Sequence, residues 1–368
     1  MSFKFNLAES IKTVIFGIFA SIRSKFSIDD FIAKEFNEIS FRDYYNLYLK
    51  SSISQVEKLR IYNLKIIKFF TILMIILLSF LYYSQKINNN FWVFVLIIFA
   101  LLTFLANHLN QSFTQFYKKF FLENLFKYFG DNFIYNESGT NLFNRYKEFF
   151  ILADFNSLIS KSSELVTAKI HDCNFSVQRV FLYDKNIILK KNPKFNQANK
   201  AQMHKKEIAE FIEKEKITKV AEGLVFLIDF PKKFSAKTVI KLVKSSNNPD
   251  PQNLEKISSK NPEFDKNFII FSNSGIEFND LFNNEFMVDF LSLLETFETN
   301  KRTLGKIKND KISASFYENS ALIFFENPRS IFEPSLLYQQ LNLITESKRI
   351  IHQFNAVFKI IKTINGKN

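Results

Sequence analysis

The chain has 368 residues, 47% hydrophobic and 23% charged, with a formal net charge of +13. This balance excludes a disordered chain and an all-membrane transporter, and leaves room for one hydrophobic anchor and one or two globular units. The single Cys173 excludes an internal disulfide and a multi-cysteine metal site, and is read as a small buried apolar side chain.

Residues 1–26 contain a nine-residue apolar run, Val14 to Ile22. Glu9 sits where a signal peptide is basic, and Arg23 and Lys25 stand where its cleavage site belongs. The segment is therefore expected to be an amphipathic helix on a membrane or on the protein. Residues 27–64 carry apolar positions at helical spacing (Tyr45, Leu49, Ile53, Val56, Leu59, Leu64) and continue as one helix into the apolar run that begins at Ile66.

From Ile66 to Ser84 the sequence is IIKFFTILMIILLSFLYYS, with Lys68 its one charge; Phe91 to Ala106 is FWVFVLIIFALLTFLA, with none. A spanning helix needs about 20 apolar residues. The first run meets this outright, and the second meets it once Asn90 or Asn107 sits at headgroup level. Lys68 snorkels, and Trp92, Tyr82 and Tyr83 mark the boundary. The intervening QKINNN is only a turn, so the two spans are antiparallel. Core helices of soluble proteins are seldom apolar on every face for this long. Lys50, Lys58, Arg60 and Lys65 before the pair, and Lys118, Lys119 and Lys127 after it, outweigh Lys86 in the turn. The excess of basic residues stays inside, which places both termini in the cytoplasm of a bacterial inner-membrane protein.

Phe113 to Phe129 continues as helix until Gly130-Asp131. Beyond Tyr146 the texture turns to short apolar runs. Phe149–Phe155, Ala168–Tyr183, Glu222–Phe230, Thr238–Val243, Asn267–Ser272, Ile312–Tyr317 and Ala321–Phe325 are expected strands. Leu281–Phe297 and the stretch from Pro334 are expected helices, with turns at Asn309-Asp310 and Asn319. The pattern specifies an α+β fold with a mostly antiparallel sheet. The divisions are a helical region at 1–64, a transmembrane hairpin at 65–109, a helical connector at 110–145 and an α+β domain at 146–368. Lysine-rich residues 184–220 read as a solvated excursion containing an exposed helix, or as a membrane-surface contact. Lys58, Arg60, Lys65, Lys118, Lys119, Lys190, Lys191 and Lys194 are the candidate surface contacts with anionic lipid.

The search for chemistry yields little. His108, His171, His204 and His352 lack ligand spacing, so no metal or cofactor is expected. No glycine-rich phosphate loop and no Gly-x-Ser-x-Gly elbow can be written. Asp154 and Asp229 close similar strands, as turn-formers or as a carboxylate pair. Asp289, on an apolar helix, needs a partner or solvent, while Glu326 and Glu333 flank a proline loop in structural roles. Basic residues interleaved with aromatics are too general here to indicate nucleic acid.

Four ordered segments carry a likeness: SSELVTAKIHDCNFSVQRVFLY (162–183), EGLVFLIDFPKKFSAKTVI (222–240), NPEFDKNFIIFSNSGIEFNDLF (261–282) and ISASFYENSALIFFENPRSIFEPSL (312–336). In their order and spacing they resemble the bacterial family catalogued as domain of unknown function 3137, over roughly 145–361 plus the hairpin. The resemblance implies a membrane hairpin ahead of the domain, and no activity or catalytic residue. The chain departs from the family in having few glycines at turns and in its lysine-rich stretch before Glu222. The combined expectation is a membrane-anchored cytoplasmic interaction module that binds a protein partner or anionic lipid. The alternative is an enzyme with a dispersed active site.

Overall fold

In this computed structural model the described residues are 38–83, 91–137, 142, 145, 149, 158–191, 211–212, 214–215, 217–243, 253–275, 278, 282–297, 311–326, 331–332 and 342–366. Residues 1–26, the turn after Tyr83, residues 150–155, Lys194, His204, Asn309-Asp310, Glu333 and Pro334 lie outside them. The chain divides into two compact units, residues 1–129 with 331–349 and residues 130–330 with 350–368.

The first unit is helical. Helix α1 (Glu38–Tyr44) passes through a π turn at Tyr45–Leu49 into α2 (Lys50–Tyr83), which is 34 residues long. Helix α3 (Phe91–Tyr117) passes through a second π turn, Lys118–Leu122, into α4 (Glu123–Phe126) and a 3-10 turn, Lys127–Phe129. Gly130 then stops the helix with φ 137°, a backbone state closed to most side chains. The arm of α1 and α2 and the arm of α3 and α4 are antiparallel, as three hydrogen bonds between them show. Asn63 Nδ2 donates to the Leu109 carbonyl at 3.1 Å, Asn124 Nδ2 to Ser52 Oγ at 3.0 Å, and the Tyr44 hydroxyl to the Asn124 carbonyl at 2.6 Å. The buried seam of α1 and α2 is Phe41, Leu49, Ser52, Val56, Arg60 and Asn63. Ile53, Leu59 and Leu64, expected on that seam, are only half-buried.

The second unit is built on one antiparallel sheet in the order β1-β2-β3-β4-β9-β8-β5-β7-β6. Its strands are β1 (Ile134–Asn136), β2 (Leu158–Ile170), β3 (Cys173–Asp184), β4 (Ala221–Asp229), β5 (Thr238–Leu242), β6 (Glu255–Ile257), β7 (Phe268–Ser272), β8 (Lys311–Tyr317) and β9 (Ser320–Glu326). Among the described residues, the helices of this part of the chain include α5 (Lys185–Lys191), α6 (Pro262–Asn267), α7 (Asn284–Phe297) and α8 (Leu343–Asn365). The first turns of α8, to Arg349, belong to the first unit. Residues Gly223–Ile228 of β4 are buried throughout, so this central strand reads as a continuous apolar run rather than an alternation.

One face of the sheet carries Phe175, Phe226 and Phe325 beneath α7 and α8. Phe297 stacks on Phe325 at 3.8 Å, and Phe354 lies 5.9 Å from Phe175 and 6.0 Å from Phe226. The other face carries Val180, Leu182, Val225, Leu227, Leu322 and Phe324 against Phe149. Gly223 sits where a Cβ would run into the Phe325 carbonyl and the Phe324 ring, so the close approach of β4 and β9 requires glycine here.

Strands β4, β5, β7, β8 and β9 and helix α7 fall where the sequence places them, and the Asn319 turn is the β8–β9 hairpin. Ala168–Tyr183, expected as one strand, is instead parts of β2 and β3 around a two-residue turn. His171 (φ 45°) and Asp172 (φ 64°) both take the left-handed backbone that such a hairpin demands. Phe149, expected in a strand, has helical backbone.

Candidate membrane-proximal site

The α2–α3 hairpin has two parts of opposite character. Its base, up to Asn63 on α2 and from Leu109 on α3, is packed around Val56, Phe113, Tyr117 and Phe121. Above it the large apolar side chains face outward. Phe69 is 63% exposed, Ile76 60% and Phe80 69%, and on α3 Leu96 is 66% exposed. Both helices are long and apolar enough to cross a membrane, and only 6% of the most apolar window of the first and 17% of the second is buried. A core helix of a soluble protein would bury that stripe. Ile66–Tyr83 rises about 27 Å along its axis, close to the thickness of a bilayer's hydrocarbon core.

The eight basic residues proposed from the sequence separate on inspection. Lys58, Lys65 and Lys119 are exposed and Lys118 is half-buried. Arg60 is not a surface cation. It is 8% exposed, and its guanidinium donates to both carboxylate oxygens of Glu57 at 2.7 and 2.6 Å. The helix turn that carries Arg60 faces the packed seam, so its charge is neutralised locally rather than offered outward. Lys190 and Lys191 are exposed on α5 in the second unit, where Lys191 Nζ donates to the Glu215 carbonyl at 3.3 Å. Lys194 is outside the described residues. Two members of the outward face went unselected in the sequence, Tyr62 and Lys68. Tyr62 lies four residues after Lys58 and three before Lys65, a spacing that puts all three on one side of a helix.

In the second unit the titratable groups are tied into structure. Asp229, at the end of β4, receives Arg145 at 2.5 and 3.2 Å and the Ser320 hydroxyl at 2.6 Å; its suggested partner Asp154 is outside the described residues. Burial pushes Glu222 up, but hydrogen bonds from Lys219 and Arg179 overcome this and hold the carboxyl below its usual range. Cys173 is fully buried. Burial, then the charges of Asp172 and Asp229, push its thiol up to about 11. Burial also keeps His352 below the usual imidazole range, beside Thr296 Oγ1 at 3.4 Å. His171 is in the β2–β3 turn and His108 is exposed on α3. Among the described residues, no three His, Cys, Asp or Glu side chains come close enough to hold a metal.

No curated protein matches the chain. The mycobacterial trehalose monomycolate transport factor A, known from a crystal structure, is similar at 7% identity and a TM-score of 0.34, over 66% of this chain and 93% of that one. The match to a family begins at 219, later than the segments from 145 onward suggest. From the approach to β4 to the end of α8, residues 219–366 match the family described as Protein of unknown function (DUF3137).

Proposed function

We propose that α2 and α3 cross a bacterial inner membrane as a hairpin with the basic base on the cytoplasmic side. The α+β domain then serves there as an interaction module for a protein partner or anionic lipid. The observation that carries this reading is the change, along the same two helices, from a packed base to an outward apolar tip. Basic residues concentrate at the base end, where the positive-inside tendency puts the cytoplasm. The domain's role as a module rather than an enzyme is supported by Asp229 and Glu222, two carboxylates already engaged by Arg145 and by Arg179 with Lys219.

The test is topological. Asn89→Cys in the turn is expected to react with a membrane-impermeant thiol reagent in intact cells, and Lys190→Cys only after the membrane is opened. Cys173, buried and with its thiol raised to about 11, stays silent in both. Labelling at 190 with none at 89 in intact cells overturns the orientation, and equal labelling of both overturns the hairpin.

A further inference from the structure

The outward face of α2 changes character stepwise from base to tip. On a 3.6-residue helix Lys58, Tyr62, Lys65, Lys68, Phe69 and Ile72 all fall within about 60° of the Lys65 direction. All six are exposed. Below them on the same face stand Ser51 and Ser54, also exposed. Upward the face therefore runs from hydroxyls, through cations around Tyr62 and the exposed Ile61, to continuous hydrocarbon. A protein-binding patch has no reason to be graded along one axis. A lipid–water boundary is graded in this order.

Axial distance then separates the cations. The Asn63–Leu109 hydrogen bond puts Ile66 level with Ala106, the foot of the tip. Lys65 is one residue from that level and Lys68 two residues above it, within reach of a snorkelling side chain. Lys58 is about 12 Å below, and Lys118 on α3 about 18 Å below. Surface fields decay over about 8 Å at physiological ionic strength, so the second helix's lysines lie outside the headgroup field.

Resting on the anchor reading of the hairpin, we infer that Lys65 and Lys68, with Tyr62 beside them, form a contact for the phosphate of an anionic phospholipid headgroup. Lys58 serves as an outlying attraction, and Lys118 and Lys119 take no part. Removing either contact lysine is expected to weaken the preference for anionic lipid roughly fivefold.

The full-length chain would be reconstituted in bilayers mixing phosphatidylglycerol with phosphatidylcholine, and the lipids it retains counted by native mass spectrometry. The parent is expected to retain phosphatidylglycerol preferentially. Lys65→Gln/Lys68→Gln loses that preference, and Lys118→Gln/Lys119→Gln keeps it. Both pairs keep the parent's circular dichroism. A parent without preference, a preference that survives in Lys65→Gln/Lys68→Gln, or one lost with Lys118→Gln/Lys119→Gln overturns the inference. Membrane fractionation of the same parent separates the two failures. A chain that leaves the membrane under alkaline carbonate sinks the anchor, whereas one that stays but binds both lipids equally sinks only the headgroup contact.

Discussion

Asp289 shows how a single side chain can oppose the fold that holds it. It lies on α7 and accepts a 2.8 Å hydrogen bond from the Thr363 hydroxyl of α8. Burial pushes its carboxyl above the usual range, the Thr363 hydrogen bond offsets part of the rise, and Glu285 adds to it. The folded pKa thus exceeds the unfolded one. Stability is fullest below the unfolded value and is lost as pH rises through the folded value. Asp289→Asn removes the ionised form and keeps an acceptor for Thr363. Partial exposure screens the cost, so the gain at neutral pH is expected to be below about 1 kcal/mol. A thermal melt checks it: the variant's higher midpoint converges on the parent's in acid. A gap that widens in acid would contradict this account. The other instructive residue is Arg60. Nothing in a lone helical segment says that one arginine among outward lysines turns inward, because the seam is defined by α3, far away in sequence.

At the scale of elements, the strongest apolar runs were legible and the short or glycine-free ones were not. Strand β4 and the β8–β9 hairpin announce themselves through EGLVFLID and through Asn319 between apolar strands. The β2–β3 hairpin hides because its turn is His-Asp, without the glycine that usually marks two left-handed residues. Strands β1 and β6 have three residues each, too few for a period. Helix α6 did leave a signal. Asn261 precedes Pro262, and its side chain accepts from the amides of Glu263 and Phe264 at 3.0 and 3.1 Å. The hairpin reading has its own test. Asp172→Gly relieves a left-handed aspartate, less the extra chain entropy of glycine, for a gain of roughly 0.5 kcal/mol in a denaturant titration. Its lost pairing with Lys169 is exposed and worth little. A clear loss of stability would mean that the turn is held by the aspartate side chain instead.

For the whole molecule, the question is which solvent surrounds the tip of the hairpin, and composition bears on it more than any motif does. The two apolar runs, the first with Lys68 as its one charge, predicted the helices, and their outward apolar faces follow. The site at their foot was only half-readable, since which lysines share a height depends on how α2 and α3 are set against each other. Ile72→Lys/Ile76→Lys discriminates between solvents. Both positions are exposed, so in water the pair would be neutral or would aid solubility. Inside a bilayer each lysine costs about 2.5–3.5 kcal/mol, and the chain is expected to shift to the soluble fraction. An unchanged membrane fraction would argue that the tip is not in lipid. Helix α2 adds a mechanical consequence. Its 34 residues include neither proline nor glycine, the usual points of sharp bending. The hairpin therefore has no swivel between tip and foot: whatever angle its surroundings impose on the outer end, the packed end turns with it like the far end of a stiff rod.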